Sequence, residues 1–452
     1  MKKKNILIFV CLAAVIGLLI CISLNSSFIR TVDSLITPPL YYSEYEGLVT
    51  AFNAEVGNNV VLSNPNDGDH LSAITASDLD NDGAEEAVIF YRESADSNTV
   101  KLTVFEGKND EWKSCGTFDG YGNEVTSLAL DDLDGDGSTE IIVIWDYSGI
   151  NNAKVFSVYR SDTVKIDYKE IKMCSCDVAE IVDMDADDLS EILYISSDND
   201  GKNVSKNANL LKLSSGNITT IGSVKLDSNV GSYVSVKKEK YNSHYPMKVY
   251  FDADKNNNMM ITEVVYWDSE KETLVAPMYD EKTNSTTITL RYEQIQSADI
   301  NNDGMIEIPI QAASDTGEND ENDESDESDE SNVLPVTNWI YFVGSTPAFY
   351  LKTYVCSESG YYINLSSINN QTLIAKSAED DEYAAVEVCT DSGKVLYTVI
   401  SVPTDEYSEA KFESYITVLK TTEYTVCAKI NEYGSNLGVD EERVRNLVEK
   451  MP

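Results

Sequence analysis

The chain has 452 residues, room for two or three domains, and its 77 acidic side chains against 34 basic ones leave a net charge of -43. Such a surface excludes partners held through their phosphates, which need Lys and Arg, and favours a soluble fold that depends on cations. With His70 and His244 the only histidines, and no G-x-S-x-G, P-loop, H-E-x-x-H or paired C-x-x-C motif, the familiar nucleophilic, nucleotide and zinc chemistries have no carrier.

At the N-terminus, Lys2-Lys3-Lys4 precedes nineteen uncharged residues from Ile6 to Leu24, enough to span a membrane. Positive residues ahead of the run hold that end in the cytoplasm and put the chain from about residue 26 outside. Residues 1–27 are therefore expected to be an uncleaved signal anchor. A lipidated Cys21, after Leu18-Leu19-Ile20, and a cleaved secretory signal are the alternatives. Residues 28–69 form a juxtamembrane linker with the stiff pair Pro38-Pro39. Within it Leu48, Val49, Phe52 and Val56 predict a short helix over 43–56, and Val60-Val61-Leu62 an edge strand. Six of the eight cysteines lie beyond the apolar run (Cys115, Cys174, Cys176, Cys356, Cys389 and Cys427). Their apolar, strand-like context predicts core thiols rather than bridges.

One stretch then recurs. Asp132-Leu133-Asp134-Gly135-Asp136-Gly137-Ser138-Thr139-Glu140 runs into the β-formers Ile141 to Trp145. Asp78 to Glu86, Asp183 to Glu191 and Asp299 to Glu307 repeat it, each followed by an apolar run. A degraded copy starts at Asp252-Ala253-Asp254 and reaches an acid only at Glu263. Starts at 78, 132, 183, 252 and 299 are spaced by 54, 51, 69 and 47 residues, a period typical of propellers and other stacked arrays. Carboxylates this crowded repel one another unless a hard cation sits among them, and Ca²⁺ takes six to eight oxygens. The glycine supplies the positive φ of a loop that wraps an ion. Solvated acidic turns are the alternative, but they require neither the recurrence nor the fixed fourth acid.

These loops resemble the FG-GAP / VCBS repeats of integrin-type β-propellers, whose blades carry D-x-D-x-D-G-x-x-[DE] calcium loops between strands. The resemblance covers roughly residues 70–358. It implies side-chain ligands at positions 1, 3, 5 and 9 and a backbone carbonyl at position 7. The implied sites are Asp78, Asp80, Asp82, Ala84 and Glu86; Asp132, Asp134, Asp136, Ser138 and Glu140; Asp183, Asp185, Asp187, Leu189 and Glu191; and Asp299, Asn301, Asp303, Met305 and Glu307. Asp188 replaces the turn glycine but tolerates the left-handed region. Four carboxylates, a turn glycine and the flanking Asp131 rank the second loop firmest, and Asn301 with Pro309 in the departing strand ranks the last weakest. The 252–263 copy leaves metal and no metal both open.

The expected fold is mainly β: a propeller with five visible repeats, each of two to four strands. In the first repeat the outer strands would be Val100 to Glu106 and Trp112 to Phe118. Tyr233 to Lys238 and Tyr241 to Pro246 would form an extended outer loop. The acidic run within 314–332 carries ten acids and no base between Asp315 and Glu330, and reads as a solvated loop between two strands of the last blade. Residues 359–452 form a small α+β domain, with strands near 361–365, 371–375, 384–390, 395–402 and 424–429 and a closing helix over 439–451. Two functions fit. One is a membrane-anchored calcium-binding propeller at a bacterial cell surface, acting in adhesion or as a scaffold by binding an extracellular protein or glycan. The alternative is a propeller enzyme, a glycoside hydrolase or lyase, for which two suitably spaced acids suffice.

Overall fold

The structure is a computed structural model that describes residues 45–108, 111–146, 154–162, 165–199, 201, 204–239, 247–255, 258–311, 332–344, 346–378 and 382–451. The apolar N-terminal run with Cys21, the linker up to residue 44, the acidic run 315–330, and His244 with its neighbours 241–246 lie outside the described residues. No described helix is long and apolar enough to cross a membrane. The chain divides into two compact units. One takes in the chain up to Asn64, Ser72–Gly120 and Ser161–Tyr168; the other Pro65–Leu71, Tyr121–Arg160 and the chain from Lys169.

The first unit pairs a helix with a sheet. The helix Glu46–Val56 ends at Gly57, whose φ of 88° only glycine adopts at little cost. Its buried face, Leu48 and Phe52, packs on Ala87, Ile89, Tyr91 and Phe105. Strand Glu86–Arg92 sits at the centre of the sheet and is apolar on both faces, so it is buried from Ala87 to Tyr91. Val61–Leu62 and Ile74–Ser77 pair with it on one side, and Lys101–Lys108 on the other, followed by Glu111–Asp119. These match the expected helix, edge strand and outer strands to within two or three residues.

The second unit repeats the plan. Glu124–Asp131, Glu140–Asp146, Lys154–Asp162 and Lys165–Cys176 form an antiparallel run, with Pro65–Asp67 added in parallel to the first. Val178–Val182, Glu191–Asn199, Val204–Ser214 and Asn217–Leu226 form the next sheet, antiparallel throughout. The fourth sheet is Val230–Lys238, Lys248–Lys255, Met259–Asp268 and Thr273–Val275. Tyr233 to Lys238 is thus the first strand of a sheet and not an outer loop; its residues pair with Phe251, Asp252 and their neighbours.

The fifth sheet contains Ile308–Gln311, Thr337–Val343, Thr346–Cys356, Tyr361–Asn364 and the C-terminal strand Val448–Lys450. The acidic run therefore joins two adjacent strands, Ile308–Gln311 and Thr337–Val343. The expected closing helix is shorter than its periodicity predicts. It spans Glu441–Leu447, capped by Asp440, whose carboxylate accepts the Arg443 N–H at 2.9 Å. Val448 to Lys450 leave it to pair with Tyr361 to Ile363, because an open sheet edge offers them ladder hydrogen bonds. The last sheet orders Leu373–Ala378, Ala384–Thr390, Val395–Pro403, Tyr424–Ile430 and Ile416–Lys420. The fold is mainly β, and among the described residues no sheet closes on itself. The six described cysteines are free, and Cys115, Cys176, Cys389 and Cys427 are buried, as core thiols would be.

Candidate metal centres

Three of the four full-length acidic loops join adjacent strands of a sheet, Ile74–Ser77 to Glu86–Arg92, Glu124–Asp131 to Glu140–Asp146 and Val178–Val182 to Glu191–Asn199, while the last leads into Ile308–Gln311 with its ends bridged by Ala298 and Glu307; all four are built on one hydrogen-bond frame. The position-9 glutamate turns inward and accepts the N–H of the buried apolar residue at position 2. The pairs are Glu86 with Leu79 at 2.8 Å, Glu140 with Leu133 at 2.9 Å, Glu191 with Met184 at 3.0 Å and Glu307 with Ile300 at 3.0 Å. The position-1 aspartate accepts the N–H of position 6: Gly83 at 3.0 Å, Gly137 at 2.8 Å, Asp188 at 3.1 Å and Gly304 at 2.9 Å. The position-5 aspartate accepts the N–H of position 7, from Ala84, Ser138, Leu189 and Met305, at 2.8 to 3.1 Å.

Two left-handed residues per loop make this wrap possible. At position 6 they are Gly83, Gly137, Asp188 and Gly304; Asp188, at φ 68°, takes the conformation expected of it. At position 4 they are Asn81, Gly135, Ala186 and Asn302, a requirement the motif does not advertise. Ala186 is the strained member, since left-handed backbone crowds a Cβ at a cost of about 1–2 kcal/mol.

The frame gathers negative charge without neutralising it. Glu86, Glu140, Glu191 and Glu307 are each no more than 1 % exposed. Burial pushes the carboxyls of Glu86, Glu140 and Glu307 up to about 7, against the opposing pull of their backbone N–H bonds, and raises Glu191 in the same direction. Carboxylate oxygens of Asp78, Asp80 and Glu86 lie within 4.8 Å of one another, as do those of Asp132, Asp134 and Asp136, and those of Asp183, Asp185 and Glu191. Oε1 of Glu86, Oε1 of Glu140, Oδ1 of Asp134 and Oδ1 of Asp185 are buried with no hydrogen-bond partner. Converging oxygens without donors are what a metal ion needs, so several acidic clusters in this chain can hold one.

The loops differ in what faces them. In the second, Arg160 reaches in from strand Lys154–Asp162 and donates to Asp134 at 2.8 Å and to Asp136, with its Nε 3.5 Å from Glu140. In the third, Lys212 Nζ lies 2.7 Å from Asp185, 2.7 Å from Asp187 and 2.8 Å from Glu191. Burial opposes the Lys212 charge, but its three carboxylate bonds raise its pKa on balance. In the last loop the Asn301 amide donates to Asp303 at 2.9 Å and to Glu307 at 3.4 Å. The residue facing Glu86 in the first loop is Glu106.

The 252–263 copy is not a loop of this kind. Asp252 and Asp254 lie within strand Lys248–Lys255, and Glu263 in the strand that follows. Asp252 is buried and accepts from Arg291 at 3.0 Å, from the Thr262 hydroxyl at 2.6 Å, and from the Ser297 backbone and hydroxyl at 2.9 and 2.8 Å. Glu263 accepts the Asp227 N–H at 2.7 Å and the Tyr233 hydroxyl at 2.8 Å. Both carboxylates are fully engaged by protein donors.

No family model and no curated protein matches this chain. Solved structures give distant likenesses. A hypothetical selenium-binding protein from Sulfolobus tokodaii aligns at 10 % identity and TM-score 0.25, over 46 % of this chain and 54 % of its own length. A rhamnogalacturonan lyase from Bacillus licheniformis aligns at 11 % identity and TM-score 0.29, over 75 % and 69 %. Sqt1 from Chaetomium thermophilum aligns at 7 % identity and TM-score 0.30, over 78 % and 93 %. The chain thus spans about half the length of the selenium-binding protein, and alignments this loose assign neither family nor activity.

Proposed function

We propose that the chain is a membrane-anchored β-propeller of the FG-GAP / VCBS kind, acting outside the cell as a calcium-stabilised binding protein for another protein or a glycan. The observation that carries this reading is the shared loop frame: four loops, each leading into a strand of a different sheet and each turning a buried glutamate onto a cluster of acidic or amide oxygens. Calcium is the cation proposed, because hard oxygen donors with one backbone carbonyl suit it best. Burying acids at this density is tolerable when cations offset them, and the net charge of -43 makes an external supply of calcium relevant. Of the buried acids outside the loops, Asp252, Asp227 and Glu239 are held in ion pairs with Arg291, Lys255 and Lys248, and Glu263 accepts from the Asp227 N–H and the Tyr233 hydroxyl, which favours binding over hydrolysis. The test is thermal unfolding of the full-length chain in calcium and in chelator. Stabilisation of about 3 kcal/mol is expected at a hundredfold excess of calcium over its dissociation constant. An unchanged melting temperature would refute the reading.

A further inference from the structure

The register of each sheet places one side chain directly across from the position-9 glutamate. Glu86 pairs with Glu106. Ile141 pairs with Tyr159, so Glu140 faces Arg160; Ile192 pairs with Leu211, so Glu191 faces Lys212. Ile308 pairs with Ile340, so Glu307 faces Tyr341. Directly opposed cross-strand positions are close enough for charged side chains to interact.

We infer that Arg160 and Lys212 are built-in counter-ions that take the place of a metal ion in the second and third loops, leaving the first loop as the chain's principal calcium site. Lys212 Nζ touches carboxylates of positions 3, 5 and 9 together, three of the four side chains a metal would use. Arg160 spans the same three positions in its own loop. A cation already seated there adds repulsion to any Ca²⁺ that enters, and displacing it strands a partly buried charge. Among the described residues the first loop has no such group: Glu106 adds negative charge, and Oε1 of the buried Glu86 is without a donor. Affinity ranked by four carboxylates, a turn glycine and the flanking Asp131 puts the second loop first; affinity set by the facing residue puts the first loop there. The last loop, with the Asn301 amide bonded to two carboxylates, follows it.

This inference rests on the calcium reading, and one experiment separates the two. Calcium bound per chain is counted by native mass spectrometry and titration calorimetry for the full-length protein and for Lys212→Met, Arg160→Met and Glu106→Lys. The wild type should bind one ion tightly. Lys212→Met and Arg160→Met should each add one ion. Glu106→Lys should weaken the tight site at least tenfold, and it keeps the test alive if a methionine variant fails to fold. Four ions on the wild type, with no gain in the methionine variants, would overturn the counter-ion role and leave the calcium reading standing. No ion on any variant would overturn the calcium reading itself. Ions gained only by the methionine variants would uphold the counter-ions and reject the first loop as a site.

Discussion

Replacing Asp252 with alanine separates a structural pin from a metal ligand at the one motif copy that sequence spacing leaves ambiguous. Asp252 is fully buried and Arg291 is 2 % exposed. The substitution removes four accepted hydrogen bonds and leaves the Arg291 guanidinium with only the carbonyls of Ile295 and Thr289, at 2.7 and 3.0 Å. Stranding one member of a buried ion pair costs about 3–5 kcal/mol. Ser297 and Thr262 lose their acceptor as well, which loosens the segment that bridges Met260 to Arg291. The assay is denaturant unfolding of the variant and the wild type in excess calcium and in excess chelator. Asp252→Ala should lose the same stability in both, because no ion is involved. A loss present only in calcium would show that Asp252 ligates metal; a loss below about 1 kcal/mol would show that the pair does not anchor the segment.

Burial raises the Glu263 carboxyl to about 7, with its two donors pulling the other way. A carboxyl raised by folding favours the native state fully below its ordinary pKa, and that contribution fades as pH rises through about 7, by at most about 3 kcal/mol. Wild-type stability should therefore fall between about pH 5 and about pH 8, and Glu263→Gln, which stays neutral, should flatten that fall; an unchanged slope in unfolding titrations would refute the assignment. In the first unit, Phe52 lies edge-on to Tyr91 and Phe105 at ring distances of 5.3 and 6.2 Å. Phe52→Ala should cost about 3–5 kcal/mol and release the helix Glu46–Val56 to limited proteolysis near Gly57, whereas protection equal to the wild type would show the helix is held by something else.

The sequence carried the four loops almost whole, because ligand spacing, the left-handed turn and the departing apolar run are all local. It left 252–263 open for a reason rooted in geometry. A D-x-D pair marks an ion-wrapping loop, but strand alternation also brings residues two apart onto one face, and Asp252 and Asp254 are strand residues. The acid at position twelve is then a residue of the neighbouring strand, Glu263, and not a closing ligand. The C-terminal helix failed differently: Val448 to Lys450 keep a helical pattern, but the open edge of a strand 80-odd residues earlier, Tyr361–Asn364, outcompetes it. Least legible were Arg160 and Lys212. Each belongs to its loop through sheet register alone, about twenty residues after the glutamate it faces, and the hairpin that sets that offset has no fixed length. In the last sheet the same offset passes through the acidic run, and Tyr341 arrives 34 residues after Glu307. An acidic loop therefore states that positive charge belongs at its centre, while the identity of that charge, ion or side chain, is written on the facing strand.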